Sequence, residues 1–206
     1  TGENESMVKG VLFDNGGFAV IWSTFIEGYP NGYIAFYDSL SQKISEDQVL
    51  SESTESPFVS DIQLYFWDQV IYVLWKESIA GELDMVLQRF DSQGIRLGDT
   101  QRSISSSVTY STKAIMSNLG DRLIIAWTED GFLKARILQT DGEFDGTEYI
   151  LTEPEDGSQI RRLSVDSKAD PVAIITWVES FSEGAKLFVS QINSNGTLQP
   201  GREILT

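Results

Sequence analysis

The stretch Gln69-Val-Ile-Tyr-Val-Leu-Trp-Lys-Glu77 decides how this chain is read, because it occurs four times. Its other copies are Gly17-Phe-Ala-Val-Ile-Trp-Ser23, Arg122-Leu-Ile-Ile-Ala-Trp-Thr-Glu129 and Val172-Ala-Ile-Ile-Thr-Trp-Val-Glu179. Each is a short apolar run closed by a tryptophan. Trp22, Trp75, Trp127 and Trp177 lie 53, 52 and 50 residues apart. A fixed spacing in this range marks a repeat architecture in which each unit is one supersecondary structure.

Outward from each run the pattern is that of strands. The apolar segments are short and rich in Val, Ile, Phe, Tyr and Trp, which suit a pleated surface. Between them stand Asp14-Asn-Gly-Gly17, Asp91-Ser-Gln-Gly94, Asp141-Gly142 and Asn193-Ser-Asn-Gly196, which supply the positive φ of tight hairpins. The first repeat predicts strands over 7–13, 18–22, 33–37 and near 48–50, and the other three follow the same plan. The strand carrying the tryptophan is apolar on both faces, so it must be covered on both. The fourth strand is short and more polar, as an outer edge should be. Four antiparallel strands per unit predict an all-β fold, a β-propeller of four four-stranded blades over about 6–51, 58–104, 112–151 and 160–205, in a single domain spanning 1–206. The four tryptophans are then packing residues between blades. Three closures stay open: one ring of four, a half-ring that dimerises, or a piece of a larger propeller.

Composition narrows the chemistry. Apolar residues make up 41% of the 206, enough for a core. No apolar run is long enough to span a membrane. The N-terminal Thr1-Gly-Glu-Asn-Glu-Ser6 has no signal-peptide character, so an exported protein would be present here as a processed or excised form. There is no cysteine, hence no disulfide or thiolate metal site, and no histidine, hence no Ser-His-Asp triad and no imidazole-bound zinc. A formal charge of −16 disfavours nucleic acid and anionic membrane as partners and admits cations, basic proteins and neutral ligands.

Two groups of residues are candidates for a site. Glu77, Glu129 and Glu179 each follow a repeat tryptophan by two positions, where the first repeat has Thr24. A ring of such carboxylates could hold Ca²⁺, a cation that wants six to eight oxygens; the alternative is a set of solvated hairpin residues. Ca²⁺ is the one cofactor the pattern suggests, and otherwise no cofactor is expected. The second group is aromatic: Phe25, Tyr29, Tyr65 and Trp67 in the first half and Phe181 in the last repeat, set near loops whose polar residues could complete a sugar-binding surface. The strand two-to-three loops and the inter-blade links share one face of a propeller, and the loop spans there are Ser23–Gly32, Ser51–Ser60, Lys76–Glu82, Ser103–Lys113, Thr128–Phe132, Thr152–Arg162 and Val178–Ala185. Asn4-Glu-Ser6 and Asn195-Gly-Thr197 match the glycosylation sequon. Carboxylates are plentiful, but no one pair stands out as a glycosidase couple, so catalysis is not expected.

Arg89-Phe-Asp-Ser-Gln-Gly-Ile-Arg-Leu-Gly98 and Gln191-Ile-Asn-Ser-Asn-Gly-Thr-Leu-Gln-Pro-Gly201 each follow a Trp-ended strand. Together they resemble the tandem repeats of bacterial secreted and surface proteins of the β-propeller kind. The first repeat departs at Asp38-Ser-Leu-Ser41, with no glycine at the turn, and the third is shortened between Trp127 and Phe132. The resemblance implies an extracellular or cell-surface location and a non-catalytic binding or adhesive role, toward a glycan or another surface protein. Two other readings remain: a structural or assembly unit that forms homo-oligomers, and a Ca²⁺-stabilised propeller.

Overall fold

The computed structural model describes residues 8–26, 29–51, 58–79, 82–101, 114–152, 158–167 and 171–205. Among them there is no helix, and the strands form four separate four-stranded sheets. Sheet I contains β1 (Val8–Leu12), β2 (Phe18–Ile26), β3 (Tyr29–Tyr37) and β4 (Gln48–Val49). Sheet II contains β5 (Phe58–Trp67), β6 (Val70–Ile79), β7 (Glu82–Phe90) and β8 (Arg96–Gln101). Sheet III contains β9 (Ile115–Leu119), β10 (Arg122–Glu129), β11 (Phe132–Leu138) and β12 (Tyr149–Thr152). Sheet IV contains β13 (Gln159–Ser167), β14 (Val172–Phe181), β15 (Gly184–Asn193) and β16 (Leu198–Leu205). Every sheet is an antiparallel meander in chain order, the blade pattern that the repeats predict. The chain forms two compact units, residues 1–108 with sheets I and II and residues 109–206 with sheets III and IV.

Each unit has its own core, and the same rule builds both. In a strand, alternate side chains face opposite sides of the sheet. The side that carries the tryptophan is termed here the leading face, and the other the trailing face. In the first unit Ile71, Val73 and Trp75 on the leading face of sheet II share a buried cluster with Ala19, Ile21, Ile34 and Phe36 from the trailing face of sheet I. In the second unit Ala173, Ile175 and Trp177 of sheet IV do the same with Ile124, Ala126, Ala135 and Ile137 of sheet III. Each large side chain fully buried in this way is worth about 1.5–3 kcal/mol. Gly201 on β16 shows how close the fit is: a Cβ there would stand 2.7 Å from Cζ2 of Trp177.

The turns between third and fourth strands repeat in register even where their sequences diverge. In sheet II, Asp91 donates its N–H to the Ile95 carbonyl at 3.0 Å, and its Oδ1 accepts from the N–H groups of Gln93 and Ile95 at 2.9 and 2.8 Å. Gly94 closes the turn at φ 80°. Sheet I makes the same turn without a glycine. Asp38 Oδ1 accepts from Leu40 and Gln42, and Ser41 takes the left-handed conformation at φ 61°. The Asp side chain fastens the turn, so the strain at Ser41 is tolerated.

One expectation about the loops is corrected. Residues 23–32, 76–82 and 178–185 are for the most part strand, not loop: pairing continues out to Ile26↔Tyr29, Ile79↔Glu82 and Phe181↔Gly184. Backbone pairing does not require apolar side chains, so polar residues such as Ser23, Thr24 and Glu77 can belong to a hairpin arm. Residues 52–57, 102–113 and 153–157, which belong to the expected loop face, and the Asn4 sequon lie outside the described residues.

Candidate functional site

The three repeated glutamates are buried, so they are not solvated hairpin residues. A buried carboxylate must be hydrogen-bonded, and each of these is. The indole N–H of Trp127 donates to Glu129 at 3.1 Å and that of Trp177 to Glu179 at 2.9 Å. Glu77 accepts from the hydroxyl of Ser51, which follows β4, and Glu179 accepts from the hydroxyl of Thr152, at the end of β12, at 3.5 Å. In each unit, therefore, a hydroxyl at the exit of the first sheet reaches the glutamate of the second. The sequence signal was present in Val49-Leu50-Ser51 and Ile150-Leu151-Thr152, aliphatic-Leu-hydroxyl in both. Glu129 also takes the ammonium of Lys134 at 3.2 Å, which bonds Glu148 at 3.0 Å. Burial works against the charge on Lys134, but the hydrogen bonds to Glu148 and Glu129 outweigh it and hold its pKa above the ordinary 10.5. Among the described residues no three or more acidic side chains gather as a metal site.

Within the first unit the candidate aromatics are not brought to one place. Phe25 and Tyr29 stand on the β2–β3 hairpin, both 44% exposed. Phe25 pairs with Pro30 and Tyr29 with Ile26, so the two rings lie on opposite faces of that hairpin. Tyr65 and Trp67 are half-buried at the other end of the first unit, where Gln69 at the β5–β6 turn bonds Asp14 at the β1–β2 turn at 2.7 Å. Trp67 packs against Tyr72 with ring centres 6.5 Å apart. Phe181, in the second unit, lies under the ammonium of Lys186 at 5.2 Å.

A cleft lies in the second unit between the β10–β11 turn and the start of β13, where two spans of the expected loop face, 128–132 and 152–162, meet. It has a volume of about 450 Å³ and is lined by Thr128, Asp130, Gly131, Ser158, Gln159, Ile160 and Arg161. The Asp130-Gly131 turn is a two-residue hairpin with φ of 50° and 87°, the geometry for which Asp-Gly is suited. It is short enough to leave the start of β13 uncovered. Asp130, Gln159 and Arg161 are exposed, while the Ser158 hydroxyl is buried with no hydrogen-bond partner among the described residues. The lining thus combines a carboxylate, a guanidinium, a primary amide and a hydroxyl, with Ile160 as an apolar floor. A recess at the β14–β15 tip, lined by Phe181, Ser182, Glu183 and Lys186, draws on one hairpin alone.

No family model matches the sequence, and no curated protein matches it. Solved structures do share its fold. A prolyl endopeptidase aligns with 97% of the chain at 13% identity and a TM-score of 0.56. The endo-arabinase from Bacteroides thetaiotaomicron aligns with 98% at 12% identity and a TM-score of 0.54. An α-L-arabinofuranosidase from Podospora anserina, solved with cellotriose, aligns with 95% at 10% identity and a TM-score of 0.52. The chain spans 27%, 79% and 66% of these three proteins. The fold is that of the β-propeller, and most of the structures that share it are glycoside hydrolases.

That finding corrects the expected function. A non-catalytic binding, adhesive or assembly module was expected because no one carboxylate pair stands out as a glycosidase couple. Glycoside hydrolases work with carboxylates, which this chain has in number, and histidine is not required. Setting catalysis aside on those grounds was therefore unsound.

Proposed function

We propose that this chain acts on glycans through the cleft between the β10–β11 turn and β13, with Asp130 as a carboxylate that faces the substrate. The cleft itself carries the reading. Sugar hydroxyls are both donors and acceptors, and the lining offers Asp130 to accept, Arg161 to donate, and Gln159 and Ser158 to do either. A buried hydroxyl with no partner among the described residues, such as that of Ser158, gains a bond when a ligand reaches it. Gly131 has no side chain to block the entrance. Cleavage of a glycosidic bond takes two carboxyl groups, one to protonate the leaving oxygen and one to act as base or nucleophile. Asp130 is one of the two. Glu129 beside it is committed to Trp127 and Lys134. A fold shared mostly with glycoside hydrolases supports this reading. An extracellular setting, where polysaccharide is met, goes with it.

The test is reducing-end release from arabinan, fructan, xylan and cello-oligosaccharides. The expected result is release from one of them, lowered by about 10²–10⁴-fold in Asp130→Asn, a typical loss for an acid–base group. Calorimetry should show that Arg161→Ala weakens binding of the same glycan. No release and no binding across the panel would sink the reading.

A further inference from the structure

Among the described residues two sheet faces stand exposed, the leading face of sheet I and the trailing face of sheet IV. The leading faces of sheets II and IV are buried, each by the trailing face of the sheet before it. The leading face of sheet I is built on the same plan. Val8, Trp22, Tyr33 and Val49 lie across it in one cross-strand row, and Leu12, Phe18 and Tyr37 in another. Yet Val8 is 65% exposed, Leu12 68% and Val49 41%, and Trp22 is only partly buried. The two rows hold no carboxylate on a chain whose net charge is −16. They are therefore a place where two acidic molecules can meet without like-charge repulsion.

The trailing face of sheet IV is the counterpart. Its rows are Arg162, Val178 and Leu187; Ser164, Thr176, Val189 and Arg202; and Asp166, Ile174, Gln191 and Gln199. Ile174 is 49% exposed, and Arg162 and Arg202 stand in solvent. The two arginines outnumber the one aspartate. Guanidinium groups stack well on aromatic faces, and Trp22, Tyr33 and Tyr37 supply such faces.

We propose that the Trp22 face of sheet I docks the trailing face of sheet IV from a second copy of this chain. The contact continues the rule that already covers Trp75 and Trp177: a trailing face on a tryptophan-bearing leading face. Every copy carries both halves, so the association is head-to-tail.

Sedimentation velocity over a concentration series tests it, with Val8→Glu/Leu12→Glu blocking one half and Ile174→Glu the other. All three positions are well exposed, so the substitutions leave folding largely intact; thermal melts check this. The wild type is expected to form a species of twice 23.0 kDa. Each variant alone should be monomeric, and an equimolar mixture of the two should recover a heterodimer through the one contact that both halves leave intact. Three results would overturn the proposal. They are a wild type that stays monomeric at all concentrations, an Ile174→Glu variant that still dimerises, and a mixture that recovers nothing.

Discussion

Trp22 and Trp177 close the same kind of strand, yet they sit in different physics. Both stack on a cross-strand aromatic with ring centres 5.6 Å apart, Trp22 on Tyr33 and Trp177 on Phe188. Trp177 is buried against sheet III and its indole N–H is bonded to Glu179. Trp22 is partly exposed, and the position of the glutamate is held by Thr24, which is exposed. Within its own sheet, then, the indole needs only a neighbouring ring. In sheets II and IV the carboxylate meets a hydroxyl brought to it from the exit of the preceding sheet, Ser51 for Glu77 and Thr152 for Glu179. A carboxylate on an uncovered face would gain nothing over threonine.

The largest expected effect follows from this contrast. Trp177→Ala leaves a cavity in the second unit and removes a donor from the buried Glu179, at a cost of about 3–5 kcal/mol. Trp22→Ala strips a side chain that water already reaches in part and should cost about 1–2 kcal/mol. Urea unfolding with hydrogen exchange, to assign each loss to its unit, makes the comparison. Equal costs would break it.

A finer contrast lies between Trp75 and Trp177. Both are buried and both precede a glutamate by two residues, but the Trp75 indole N–H has no hydrogen-bond partner among the described residues. Glu77 is bonded instead to Ser51. Phenylalanine keeps most of the ring and discards the N–H. Trp75→Phe therefore removes an unsatisfied donor, whereas Trp177→Phe removes a bond to a buried carboxylate, worth about 1.5–3 kcal/mol. Trp177→Phe should lower the unfolding midpoint more than Trp75→Phe. The reverse order would show that ring shape outweighs the hydrogen bond.

The strands were legible because their signals are local. A β-branched and aromatic run between positive-φ turns reads as a strand wherever its partner lies, and all four sheets appear where the repeats put them. The hairpin arms at 23–26 and 76–79 were not, because their pairing is carried by backbone and their side chains resemble loop composition. The turn at Asp38–Gln42 was legible despite its missing glycine, because the aspartate that fastens it was in view. The glutamates read as surface charge, since nothing near them in sequence announces Ser51 or Thr152, 26 and 27 residues away. Both walls of the cleft were legible as one loop face, 128–132 and 152–162, but that they enclose a recess was not. Asp130-Gly131 reads as a turn, and its other wall comes from the strand that begins at Gln159.

The smallest expected effect separates Glu129 from Glu179, which occupy equal positions with different company. Only Glu129 is seen to share an ammonium, that of Lys134, with a second carboxylate, Glu148. The hydrogen bonds to Glu148 and Glu129 raise the pKa of Lys134 against the opposing effect of burial. A group that holds its proton more tightly when folded contributes stability that is fully present below its unfolded pKa, about 10.4 for lysine. That stability is lost as pH rises through the folded value. Glu148→Gln removes one of the two partners and so lowers the folded pKa. The variant should melt about 2–4 °C below the wild type at pH 8, the size expected for a partly exposed ion pair. The gap should close as pH passes the lysine's folded pKa, since the deprotonated amine has no charge for Glu148 to hold. Tyr72 and Tyr149 also have raised pKa values, by burial first in both cases, and weaken both proteins alike in that range. The gap between the two melts therefore isolates Lys134, and a gap that stayed constant to high pH would mean that Glu148 acts through Arg136, its other partner at 3.3 Å.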